Sequence, residues 1–275
     1  VMIFLQSHSV SPTYAQKIFK KYGDKSIRQV QENPFALARD IFGIGFKTAD
    51  TIAQKMGIPR DAPQRIDAGI EYVLTELSND GHSCYPLQEL SKTSAETLEV
   101  SEEFIRDRIS HLVLAHRLEQ FDLPVASEIV PFVWLRFLFM SEVGIARDIR
   151  RLKTHTSTIR DIDIPKALNW VQQTLNIELA HKQKEAVAAA LQEKIMIITG
   201  GPGTGKSTII NAILTITRKL TSNILLAAPT GRAAKRMSEI TGAKASTIHS
   251  LLEFDFRSNG FKRNREAPLE CDLII

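Results

Sequence analysis

Cysteine is almost missing from this chain: among 275 residues there are two, Cys84 and Cys271. They lie too far apart in sequence to form a redox or metal-ligand spacing, so no disulfide framework or zinc pattern is expected. His82 next to Cys84 makes a poor metal site, and a reduced, cytoplasmic setting is the simplest reading. Long apolar runs are lacking too. The longest candidate, residues 129–140, contains Pro131 and Arg136 and falls well short of the ~20 residues a membrane helix needs. It reads as buried core, and neither a signal peptide nor a membrane partner is expected. Charge of one sign is lacking as well: 35 Lys and Arg face 31 Asp and Glu, a net charge of +4. That permits a polyanionic partner without demanding one. What remains is an ordinary globular composition, 43% hydrophobic and 24% charged, long enough for two or three domains.

The most informative stretch is IMIITGGPGTGKST, residues 195–208. An apolar, β-branched run too short for a helix stops at two glycines, and a helical pattern restarts after the lysine, which predicts a strand–loop–helix unit. The spacing fits G-x-x-x-x-G-K-[ST], with Gly200, Gly205, Lys206 and Ser207 at its fixed positions. Such a loop turns backbone N–H groups inward around a polyphosphate, and a β-carbon at its tightest points blocks that approach. Gly200, Gly201, Pro202, Gly203, Thr204, Gly205, Lys206, Ser207 and Thr208 are therefore the candidate nucleotide cradle. Lys206 is expected on the β- and γ-phosphates and Ser207 on magnesium. The helix opened by the loop adds its unpaired amides and dipole.

Before this loop the chain is helical. Val1, Met2, Phe4 and Leu5 read as the end of an apolar helix face, a pattern already under way, which suggests a fragment of something longer. Ser11-Pro12 is a capped helix start followed by Ala15, Ile18, Phe19 and Tyr22 and closed by Gly23. The same grammar returns at Asn33-Pro34, with Phe35, Ala38, Ile41 and Phe42 as the expected buried face. It ends in Gly43-Ile44-Gly45, after which Phe46, Ala49, Ile52, Ala53 and Met56 form another apolar face. Two helices joined by G-h-G resemble a helix-hairpin-helix module, which holds DNA by its phosphates without reading sequence. Gly43, Ile44, Gly45 and Lys47 are the candidate contacts, and a purely structural hairpin is the competing reading. At the earlier copy His8-Ser9-Val10-Ser11 replaces the glycines, so that hairpin reads as structural.

Residues 63–153 carry two amphipathic helices, the faces Ile66 to Leu77 and Ile105 to Val113. Short segments at 117–120 and 129–133 suit a small sheet, and a helix with Leu138, Ile145, Ile149 and Leu152 ends near Lys153. No catalytic constellation stands out here. Residues 154–163 read as a linker. Gln183 then opens a helix leading into the phosphate loop, where it is either near the nucleotide or simply an exposed helix residue. Beyond the loop helix, a strand at 224–228, a helix from 231, a short helix at 246–252, a basic loop and a strand beginning at Cys271 predict a parallel α/β sheet.

GGPGTGKST (200–208), APTGRAAKRM (228–237) and STIHSLL (246–252) together resemble successive motifs of RecD-like superfamily 1 DNA helicases, the RecD/TraA type. NPFALARDIFGIGFKTADTIAQKMGI (33–58) resembles the helix-hairpin-helix region of the longer RecD-like proteins. The resemblance implies an ATP- and Mg2+-dependent motor that moves 5′ to 3′ on single-stranded DNA and works at single-strand/duplex junctions. It implies adenine contact for Gln183, DNA contact for Thr230, Gly231 and Arg232, and a further DNA motif at Thr247 and His249. RecBC-like partner subunits stay open. The expected fold is a mainly α N-terminal region, with tandem helix-hairpin-helix (1–62) and a helical, winged-helix-like part (63–153), then a partial RecA-like P-loop domain (154–275). The family's D-E pair and second motor domain lie beyond this sequence, so the piece alone is expected to bind nucleotide without turnover. The alternatives are a non-translocating P-loop ATPase, of clamp-loader or kinase type, and a DNA-binding adaptor with a structural P-loop.

Overall fold

Ser11 caps a helix as read from sequence, whereas the helix expected from Asn33-Pro34 begins only at Ala36 and has no side-chain cap. In the computed structural model, which describes residues 1–8, 10–156 and 159–275, the N-terminal region builds α1 (Met2–Ser7), α2 (Pro12–Tyr22), α3 (Ser26–Glu32), α4 (Ala36–Asp40) and α5 (Phe46–Lys55). Ser11 Oγ accepts from the Tyr14 amide at 3.3 Å, and Gly23, at φ +56°, ends α2. Ser9, within the first hairpin, lies outside the described residues, as do Ser157 and Thr158 of the expected linker.

Two aromatics differ from expectation. Phe19 is half exposed and Phe42 is 94% exposed. At Phe42 the cause is local: α4 stops at Asp40, Ile41 is extended, and Gly43 takes φ +97°. The turn sends Ile41 and Ile44 into the core and leaves the ring between them outside. The helical spacing that placed Phe42 inside assumes a helix that has already ended.

The chain continues through α6 (Pro63–Asn79), β1 (Cys84–Pro86), α7 (Leu87–Leu98), α8 (Glu102–Leu114), β2 (Leu118–Val125), β3 (Glu128–Leu135) and α9 (Arg136–Thr154). The three strands form an antiparallel sheet in the order β1-β3-β2, with Cys84 opposite Trp134 and Leu118 opposite Leu135. Helix, strand, two helices and a two-stranded ribbon in this order make a winged-helix arrangement. The run 129–140 is not one buried segment. Val133, Trp134 and Leu135 are buried, whereas Ile129, Phe137 and Met140 are exposed, because only the C-terminal end of β3 enters the core and the run changes to helix at Arg136.

One core runs from Leu5, Ile18 and Leu37 through Ile52, Ile66 and Leu98 to Leu118 and Val133. Gly69 sits where α6 meets α7: a β-carbon there would lie 2.6 Å from Leu98 Cδ1, and Leu98 is fully buried. Gly69→Ala is therefore expected to lower stability by roughly 1–3 kcal/mol despite its better helix propensity. A thermal melt no lower than the parent chain's would show that Leu98 has room to move.

The chain divides into units 1–145 and 146–275. The second unit holds α10 (Ile164–Leu175), α11 (His181–Gln192), α12 (Lys206–Thr217), β4 (Ile224–Ala228), α13 (Gly231–Thr241), β5 (Ala245–Thr247), α14 (Ile248–Leu251), β6 (Phe254–Asp255), β7 (Gly260–Phe261) and β8 (Leu273–Ile274). Strands β5, β4 and β8 are parallel neighbours in that order, as the alternating pattern requires. Val171, Leu179, Val187, Ile209, Ile213 and Ile216 form the core of this unit. Residues 195–199, expected as a strand, form none: Ile197 is 81% exposed, and no described strand pairs with the run. Strand structure needs a partner backbone as well as β-branched residues.

Candidate nucleotide and nucleic-acid sites

The phosphate loop keeps its geometry without that strand. Gly203 and Gly205 sit at φ +78° and +83°, a region side chains disfavour, and Gly205 is the N-cap of α12. A β-carbon on Gly200 would meet Thr204 Oγ1 at 2.8 Å, and one on Gly205 would run into the Gln183 amide. Gly201 has open space around it. Thr204 Oγ1 donates to Gly201 O at 2.9 Å, closing the loop on itself. Lys206 Nζ donates to the carbonyls of Gly200 (2.5 Å) and Gly201 (2.6 Å), so the only cation of the motif lies inside the loop it serves. Ser207 is exposed on the first turn of α12, and Pro202 and Thr208 flank the loop and that turn. A cradle of glycines that a β-carbon would fill, a lysine within it and a hydroxyl at the helix start together fit a magnesium-bound polyphosphate.

Gln183 is placed by its own helix. As the third residue of α11 its Oε1 accepts from the Ala180 amide (3.0 Å), while Nε2 donates to Thr204 O (3.2 Å). One side chain thus ties the start of α11 to the phosphate loop. A cleft of about 220 Å3 opens nearby, lined by Leu175, Ile177, Ser207, Thr208, Asn211 and Ile240.

The candidate DNA residues of this unit gather at the carboxyl ends of adjacent strands, Ala228 of β4 being opposite Thr247 of β5. Thr230 caps α13, its Oγ1 accepting from Ala233 N at 3.2 Å, and Gly231 and Arg232 are exposed beside it. Thr247 caps α14 in the same manner, accepting from Ser250 N at 3.1 Å. His249 lies 5.6 Å from the rings of both Phe254 and Phe261. The β6/β7 hairpin that carries those rings, with Phe256 and the cations Arg257 and Lys262, reads in sequence only as a basic loop. Its signal was the alternation of Phe254 and Phe256 ahead of Asn259, which takes φ +51° and closes the four-residue turn 256–259.

In the first unit the hairpin Gly43-Ile44-Gly45 leads into α5 with Gly45 as N-cap. Ile44 is buried and anchors the turn, and Lys47 is exposed with its Nζ 5.9 Å from the Tyr72 ring. From α2, Tyr14 OH donates to Gly43 O (2.6 Å) and Lys17 Nζ to Phe42 O (2.9 Å), two contacts between distant segments that spacing does not reveal. Burial pushes both thiols, Cys84 and Cys271, up from the ordinary cysteine range, which leaves them as poor nucleophiles.

Residues 1–84 match the family model described as the ATP-dependent RecD2 DNA helicase HHH domain, and residues 183–275 match an AAA domain. The chain is 30% identical over 278 aligned positions to the ATP-dependent RecD2 DNA helicase of Deinococcus radiodurans, an alignment covering 98% of the chain and 38% of that relative. It is 37% identical to the RecBCD enzyme subunit RecD of Haemophilus influenzae, over 34% of the chain and 18% of the relative. With the ATP-dependent DNA helicase dda of phage T4 it shares 35% identity, over 36% of the chain and 25% of the relative. The chain thus spans well under half the length of these relatives. Two domain matches in the expected order, and an alignment through nearly the whole chain, make it similar to RecD-like helicases along its length.

Proposed function

We propose that this chain is the nucleotide-gripping and DNA-contacting front part of an ATP-driven motor that moves 5′ to 3′ along single-stranded DNA and opens duplex at junctions, in recombination or repair. The observation that carries the reading is the glycine cradle around Lys206 with Gln183 fastened to it through Thr204 O. In this reading the loop amides and Lys206 hold the triphosphate, Ser207 holds magnesium, and Gln183 reads the base. Bound ATP and magnesium supply the driving chemistry, and the work of these residues is to grip and orient them. Thr230, Gly231, Arg232, Thr247 and His249 form a DNA track at one edge of the sheet. Residues 1–62 act as a helix-hairpin-helix DNA module, 63–153 as a winged-helix-like spacer and 154–275 as the first part of the motor domain, in the cytoplasm. RecBC-like partner subunits belong to the same proposal. Titrating ATP with and without single-stranded oligo-dT tests it: affinity that changes with the strand supports a motor. Uncoupled binding favours a simple P-loop ATPase, and no binding an adaptor.

The hairpin contact has its own test. A β-carbon at Gly45 meets nothing within 4 Å, and its φ of −93° suits any residue, so Gly45→Val leaves the fold intact while crowding the amides at the start of α5. Weaker DNA binding is expected, with a loss of stability no larger than the ~1 kcal/mol of a poorer N-cap. Wild-type affinity should fall with salt, log K dropping by roughly 0.7–0.9 per phosphate neutralised. Salt-independent binding, or a silent Gly45→Val, would count against this contact.

A further inference from the structure

The ring of Phe42 is 94% exposed at the tip of the Gly43–Gly45 hairpin. An unpartnered phenyl ring in water is costly, yet this one is held there: Gly43 turns the chain with positive φ, and the two carbonyls flanking the turn are fastened to α2 by Tyr14 OH and Lys17 Nζ. The Lys17 ammonium lies 5.8 Å from the Phe42 ring and 5.7 Å from the Tyr14 ring, and with one bond to Phe42 O it keeps two further N–H donors. A π-face and a fixed cation thus stand within one nucleotide's dimensions. Residues 11–50 carry seven Lys or Arg against four Asp or Glu, so the field around the ring favours an anion.

We propose that Phe42 and Lys17 form a stacking site for single-stranded nucleic acid, the ring taking an unpaired base and the ammonium the adjoining phosphate. This goes beyond phosphate contact at the hairpin amides, because a ring adds nothing to a paired, stacked duplex unless a base is free to meet it. It rests on the reading of the hairpin as a DNA contact, and its test is chosen so that the two fail separately. Ring stacking by a base also separates it from a protein-docking role for the same exposed ring.

The full chain is irradiated with an oligo-dT strand carrying 5-iododeoxyuridine, and the cross-linked peptide is mapped. Fluorescence anisotropy then compares oligo-dT, an abasic strand of equal length and a blunt duplex. The expected result is a cross-link at Phe42, an affinity for oligo-dT about tenfold lower in Phe42→Ala, and no change for the abasic strand. Lys17→Gln keeps a donor for Phe42 O and removes the charge, so it should weaken both strands and reduce the salt slope by about 0.7. Cross-links only elsewhere, or a silent Phe42→Ala, overturn the proposal. If Gly45→Val still weakens the abasic strand, the hairpin contact survives that failure; if it is also silent, both readings fall. Equal loss of duplex and strand in Phe42→Ala would make the ring a duplex wedge and likewise overturn stacking on single strands. A chain that binds no strand through this unit while Phe42→Ala breaks a protein complex overturns it in favour of docking.

Discussion

Lys206→Ala should lower the affinity of this chain for Mg-ATP by roughly tenfold to a hundredfold, the range for losing hydrogen bonds to a charged group. In the whole protein the effect on turnover should be larger. The lysine then faces charge developing on the transferred phosphoryl group, where losing one stabilising contact costs ~3 kcal/mol or more. The fold should not change. Among the described residues, Lys206 Nζ bonds only to the carbonyls of Gly200 and Gly201 and to Thr204 within its own loop, and none of those atoms lies in the core of the unit. Melting should therefore stay within about 0.5 kcal/mol of the parent chain. Calorimetric titration of ATP with magnesium and with chelator separates the two ligands. Ser207→Ala should erase the magnesium-dependent part of the affinity and leave the remainder. If Lys206→Ala binds ATP as tightly as the parent chain, the loop is a structural turn and the motor reading loses its main support.

Much of this could be read before any coordinates, because the signals were local. Ser11, Ser101, Asp163 and Thr230 each cap the helix that follows, as short side chains with an acceptor at that distance do. The glycines of the phosphate loop were legible for the same reason, since the positive φ of Gly203 and Gly205 and the crowding of Gly200 by Thr204 are properties of a few neighbouring residues. What stayed hidden depends on distant partners. The run 195–199 has the composition of a strand but lacks a neighbour to pair with. Phe42 has the spacing of a core residue, yet the helix ends two residues earlier. Gly69 looks like a weak point in an amphipathic helix until Leu98, from another helix, fills the space above it. The tether from Gln183 to Thr204 spans 21 positions, and no periodicity in the sequence marks it.

The ionic residues inside the first unit were hidden in the same manner, and they carry the largest expected effect on stability. Asp67, on α6, is almost fully buried and accepts two bonds from Arg108 of α8, from Nε and Nη2, each at 2.8 Å. Arg117 stands 3.6 Å from the same carboxylate and forks onto Glu71. Burying these charges gains little net energy, since desolvation offsets most of the attraction. Breaking the set is a different matter. Asp67→Ala removes the acceptor of both Arg108 bonds and leaves a guanidinium that stays charged and is only 17% exposed. The expected loss is about 3–5 kcal/mol. By contrast Arg60–Glu99 joins two side chains that are 67% and 68% exposed, and Arg60→Ala should change stability by about 1 kcal/mol or less. Urea unfolding followed by Trp134 fluorescence, in a Trp170→Phe background, reports on this unit alone, because the chain's two tryptophans fall one in each unit. The double variant Asp67→Leu with Arg108→Leu should recover most of the loss, since removing both charges leaves neither unpaired. If the double variant is as unstable as Asp67→Ala, the defect is packing around α6 and not a stranded charge.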